Sequence, residues 1–110
     1  MPLRREEHAA LDQLVGRLRR DFGPRLVKLF LFGSKARADD APDPDIDVVV
    51  VLSGTVGEAE RIGVSRVAYG VLEASGLYLQ TVLLSEEQFA SPRGQVRWLA
   101  ASVREEGIPL

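Results

Sequence analysis

Residues 31–51 read LFGSKARADDAPDPDIDVVVV, and the reading of this stretch decides the fold. It closes one apolar run, Leu26 to Phe32, at Gly33. It then opens a second, Val48 to Leu52, directly behind Asp45-Ile46-Asp47. Two apolar runs this short, the second rich in valine, indicate buried β-strands rather than helices. Between them, Pro42 and Pro44 remove backbone donors and push their neighbours toward extended geometry, so residues 39–44 form a loop. A short helical turn fits Ser34 to Ala38.

Outward from this stretch the periodicity changes. Leu11, Leu14, Val15, Leu18 and Phe22 recur at helical spacing, which predicts an amphipathic helix over residues 4–22 ended by Gly23-Pro24. Its charged groups, Arg4, Arg5, Glu6, Glu7, Asp12, Arg17, Arg19 and Arg20, read as a solvated face. Beyond the Ser53-Gly54 turn, Ile62, Val64, Val67, Ala68, Val71 and Leu72 predict a second helix up to Gly76, weakened at Gly63 and Gly70. Leu77 to Leu84 reads as a third strand, and Val96, Leu99, Ala100 and Val103 mark a last helix. The tail, residues 107–110, has no periodicity. Tyr69 and Tyr78 read as core or strand residues. The order helix, strand, short helix, strand, helix, strand, helix indicates an α/β layer structure, a single domain over residues 1–110.

Composition limits the chemistry. With 14 Lys+Arg against 16 Asp+Glu the chain carries −2, which provides no field for strong general nucleic-acid binding. It has no cysteine and a single histidine, His8, which excludes disulfides, thiolate catalysis and zinc–cysteine or polyhistidine sites. A metal would have to be hard and oxygen-liganded. No run approaches the ~18 apolar residues of a membrane span, so the cytoplasm is the expected compartment.

Gly33 and Ser34 stand where a strand gives way to a helical start, where free N–H groups and the helix dipole favour a phosphate; an ordinary helix cap is the alternative. Asp45 and Asp47, two apart on a strand, project from one face, and a divalent cation between them would relieve their repulsion. A solvated strand end is the alternative. Ten residues separate Ser34 from Asp45.

This combination resembles the DNA polymerase β-type nucleotidyltransferases, whose signature is Gly-Ser, about ten residues, then Asp-X-Asp entering a hydrophobic strand. Gly33-Ser34-Lys35-Ala36-Arg37 is similar to the form found in the small prokaryotic members, the minimal nucleotidyltransferases. The likeness extends over the segment Leu83 to Phe89 and the C-terminal Arg104 to Leu110. It implies a polymerase β-like fold, a small mixed sheet flanked by helices. It also implies that Asp45 and Asp47 bind Mg²⁺ or Mn²⁺ and act in catalysis, with Gly33 and Ser34 on the phosphates of ATP. Arg37 either reaches a phosphate or pairs with Asp39, Asp40 or Asp43.

Active members usually add a third carboxylate from the next strand. Here Gln80 most nearly takes that place, with Thr81 the other choice; neither can act as a base. Glu73, Glu86 and Glu87 are not obvious replacements. The small members resemble antitoxins of toxin–antitoxin pairs that transfer AMP to a tyrosine of a helical HEPN toxin. A catalytically weak antitoxin that neutralises its partner by binding is the alternative, and transfer to an aminoglycoside-type small molecule a further one. Trp98 lies opposite the apolar stripe of the last helix, where an aromatic suits contact with another chain; cover by the tail around Ile108 or by the first helix is the competing reading.

Overall fold

The structure, a computed structural model, describes residues 3–33 and 46–110. It contains helix α1 (Arg5–Phe22), strand β1 (Leu26–Phe32), strand β2 (Ile46–Leu52), helix α2 (Glu58–Ser75), strand β3 (Leu79–Ser85), a short helix α3 (Glu86–Ala90), helix α4 (Gln95–Glu106) and a two-residue strand β4 (Ile108–Pro109). The sheet order is β3-β2-β1-β4. β2 runs antiparallel to β1 and parallel to β3, so the sheet is mixed.

The valine run of β2 is explained by its central place between two helical layers. Ile46, Val48, Val50 and Leu52 join the core under α1 and α2, whereas Val49 and Val51 join a second core with Phe89, Ala100 and Val103. From Val48 to Leu52 no side chain is exposed, and a strand covered on both faces has no need of polar alternation.

α1 buries Ala10, Leu11, Leu14 and Leu18 at helical spacing, and it buries Glu7 as well. Glu7 therefore departs from the expected solvated face. Its Oε1 accepts the Arg4 backbone N–H at 2.8 Å, which satisfies an orphan donor of the first turn. The glycines that weaken α2 as a helix lie where α1 crosses it. A Cβ at Gly63 would stand 3.0 Å from the Phe22 ring, and one at Gly70 would meet the end of Arg17.

At the far end of the sheet Arg25 ties β1 to the β2–α2 connection. It donates from Nε to Ser53 O at 3.1 Å, from Nη2 to Thr55 O at 2.8 Å and from Nη1 to Glu60 Oε2 at 3.1 Å. Glu60 also accepts the Gly57 N–H at 2.8 Å. That backbone donor first, and Arg25 second, hold the Glu60 carboxyl below its ordinary range.

Two elements were not expected. The tail forms β4, pairing Ile108 with Leu31 and Pro109 with Phe30; the Leu110 N–H donates to Leu29 O at 2.9 Å. Two residues are too few to show a period, yet they cover the edge that β1 would otherwise expose. α3 is set by a capping box: Ser85 Oγ accepts the Gln88 N–H at 3.0 Å and Gln88 Oε1 accepts the Ser85 N–H at 2.9 Å. Arg104 secures α3 to α4, donating to Phe89 O at 2.6 Å with its guanidinium 4.4 Å from the Phe89 ring centre.

Candidate active site

Because β1 and β2 are antiparallel and β2 and β3 parallel, three strand ends meet at one end of the sheet: the last residue of β1 and the first residues of β2 and β3. There Asp47 pairs with Phe32 on one side and Gln80 on the other. Paired residues share a face of the sheet, so Phe32, Asp47 and Gln80 form a row. It is the face that carries Val49 and Val51 further along β2. Asp47 is half-buried and Gln80 exposed.

Gly33 completes the row. It follows β1 with φ +78, a conformation open to glycine and strained for other residues. Its missing side chain is the reason Asp47 fits. A Cβ there would lie 2.6 Å from Asp47 Oδ2 and 3.4 Å from Asp47 Cγ. The backbone of the turn therefore approaches the carboxylate to a distance that any side chain would prevent.

Of the other expected site residues, Ser34, Arg37 and Asp45 lie outside the described residues, as do the helical turn expected over residues 34–38 and the loop over 39–44. The register sets Gln80, and not Thr81, directly across from Asp47. Glu86 and Glu87 begin α3 at the opposite end of β3, about 20 Å from Gln80 along the strand. Glu73 is exposed on α2. Among the described residues no three carboxylates or imidazoles are grouped to hold a metal. The Asp47 carboxylate and the Gln80 amide, neighbours across paired strands, are oxygen ligands, which suit a hard cation and no softer one.

Beside Gln80, between α2 and β3, is a cavity of about 380 Å³ bordered by Tyr69, Leu72, Tyr78 and Thr81. Tyr69 and Tyr78 were expected in the core or a strand; they are 62% and 53% exposed, and Tyr78 precedes β3. The signal lay in α2, whose buried stripe Val64, Val67 and Val71 leaves position 69 on the other side. Trp98 is 72% exposed, so neither the tail nor α1 covers it. Among the described residues no helix is long and apolar enough to cross a membrane.

A four-stranded mixed sheet between helical layers, with a glycine turn against an aspartate at the start of its central strand, is the architecture of the nucleotidyltransferase fold. The sequence matches the nucleotidyltransferase domain over residues 11–105, and the chain belongs to that family. It is 29% identical over 102 residues, 92% of this chain and 94% of the relative, to a Methanocaldococcus jannaschii protein assigned as a protein adenylyltransferase. Two of the solved structures that share the fold are toxin–antitoxin complexes. One is the tri-AMPylated HEPN toxin of Shewanella oneidensis in complex with its MNT antitoxin, matched with a TM-score of 0.59 and 22% identity over 93% of this chain and 69% of that one. The other is a toxin–antitoxin complex with AMP-PNP, matched with a TM-score of 0.60 and 23% identity over 87% and 68%.

Proposed function

We propose that this nucleotidyltransferase transfers AMP from ATP to a hydroxyl of a partner protein, a helical HEPN toxin, and thereby acts as its antitoxin. The observation that carries this reading is the contact between the Gly33 turn and Asp47, in a row that ends at Gln80. The M. jannaschii relative and the AMPylated S. oneidensis complex support the choice of a protein acceptor.

In this reading Asp45 and Asp47 hold Mg²⁺ or Mn²⁺, with the Gln80 amide oxygen as a neutral third donor. The bound cation supplies charge neutralisation for the phosphates. Gly33 and Ser34 present backbone and hydroxyl donors to the triphosphate, and Arg37 adds a cation to it. The acceptor oxygen forms a bond to the α-phosphorus as the bond to the β-phosphate oxygen breaks, and pyrophosphate leaves. Gln80 cannot take the acceptor proton, which passes to water or to a group on the partner.

In this reading the acceptor hydroxyl is carried by the partner. Trp98, exposed on α4, is the side chain assigned to the partner contact. In this reading the reaction is cytoplasmic, with ATP as the donor.

A second reading rests on Gln80. With an amide in the row where a carboxylate would add charge, the chain binds its partner and neutralises it by occupancy, transferring AMP weakly or not at all. One experiment separates the two. The purified chain is incubated with ATP, Mg²⁺ and the product of the adjacent gene, and intact mass is read. Added AMP on the partner supports transfer; a stable complex of unmodified partner supports occupancy and removes the enzymatic reading.

A further inference from the structure

Three of the five large apolar side chains exposed among the described residues lie on one side of the molecule: Ile62, Tyr69 and Tyr78. Ile62, Arg66, Tyr69 and Glu73 follow one another at steps of four, three and four, which sets them in a single stripe along α2. All four border one depression of about 580 Å³. The buried residues Val64, Val67 and Val71 lie on the opposite side of α2, and α1 packs on its flank with Phe22 against Gly63 and Arg17 against Gly70, so the stripe faces away from its own core. On the same side β3 is the edge strand of the described sheet.

The charges on the stripe select its occupant. Arg66 precedes Tyr69 by three residues and Glu73 follows it by four. Neither has an ion pair within the chain among the described residues. A uniformly acidic or basic partner would answer one of these charges and repel the other. A second copy answers both, because a twofold interface brings the same patch to itself with the order of residues reversed.

We propose that a second copy of this chain docks on the α2 face, the two helices antiparallel about a twofold axis beside Tyr69. Each Arg66 then meets the partner's Glu73, so the ion pair forms twice, and the two tyrosines pack at the centre. The interface leaves Asp47 and Trp98 outside it. It stands whether or not the chain transfers AMP.

Sedimentation equilibrium of the purified chain from about 1 µM to 1 mM tests this. The expected result is a monomer–dimer equilibrium that weakens with salt, as exposed ion pairs do. Arg66→Glu faces like charges twice in each dimer and weakens association at least about tenfold, and Glu73→Arg does the same. The double reversal, Arg66→Glu with Glu73→Arg, restores it to within about threefold of wild type. Tyr69→Ala weakens it at least about tenfold, and Trp98→Ser leaves it unchanged. A wild type that is monomeric throughout the range overturns the proposal. So does a dimer indifferent to Tyr69→Ala, or one that the double reversal fails to restore. All these positions are exposed, and matching thermal melts confirm that each variant is folded.

Discussion

Gly33 and Asp47 are packed so closely that a methyl group on the glycine would stand 2.6 Å from Asp47 Oδ2. Gly33→Ala therefore acts twice. The alanine is strained at φ +78, which costs about 1–3 kcal/mol, and it drives the carboxylate out of its place in the row. The expected outcome is a thermal midpoint lowered by several degrees and nucleotide transfer reduced by about 100-fold, the scale of loss when a reacting geometry is displaced by about 1 Å. A Gly33→Ala protein that keeps wild-type transfer would remove the carboxylate's position from the mechanism.

Glu60 gives a pH dependence with a defined sign. The Gly57 N–H and Arg25 hold its carboxyl below the ordinary value of 4.5. A carboxylate whose folded pKa is depressed contributes stability that is present above the unfolded pKa and disappears as pH falls through the folded one. Glu60→Gln resembles the protonated side chain. The variant should melt below wild type at pH 7, by an amount that stays constant down to about pH 5 and then shrinks toward zero. Melting curves at pH 7, 5 and 3 check this, and an undiminished difference at pH 3 would contradict it. The consequence is local to the β2–α2 connection, away from Asp47.

The parts of the fold that were legible in the sequence are those with a repeated pattern. The run from Val48 to Leu52 has no polar interruption because both faces are covered, and Leu11, Leu14 and Leu18 keep their period because one face of α1 is buried throughout. Features set by a single contact were less visible. β4 is two residues long, and α3 depends on one capping box at Ser85 and Gln88. Glu7 is buried by a bond to the chain's own backbone, which no charge pattern announces. Tyr69 and Tyr78 were misplaced because an aromatic side chain is apolar enough for a core and is also suited to an interface. In the candidate site the motif named Gly33 and Asp47 and pointed to Gln80 ahead of Thr81, and strand register was needed to choose between those two.

Trp98 separates hetero-complex formation from folding. It is 72% exposed, while Ala100 and Val103 on the same helix are buried. Trp98→Ser is therefore expected to change the thermal midpoint by no more than about 2 °C, within the range of ordinary surface substitutions. Binding to the helical partner, measured by calorimetry, should weaken by at least about 30-fold, the loss of about 2 kcal/mol that marks an interface hot spot. Unchanged affinity would move the partner contact to another face.

Gln80→Glu tests the row from the other end, by adding charge instead of removing it. Gln80 pairs with Asp47 across the parallel strands and is itself exposed, so a glutamate fits its place without repacking. Without a divalent cation the two carboxylates repel, a cost of roughly 0.2–1 kcal/mol for neighbouring like charges on a sheet, and the melting point falls. With Mg²⁺ or Mn²⁺ the second carboxylate becomes a charged oxygen donor. Binding to the folded state alone then raises the melting point, with a gain that grows as the logarithm of metal concentration over the dissociation constant. The expected result is a crossing: Gln80→Glu melts below wild type in chelator and above it in millimolar Mn²⁺. Transfer of AMP should become active at about tenfold lower metal. If Gln80→Glu melts below wild type in both conditions, Gln80 does not border a cation, and the oxygen donors must come from residues 34–45 and Asp47 alone.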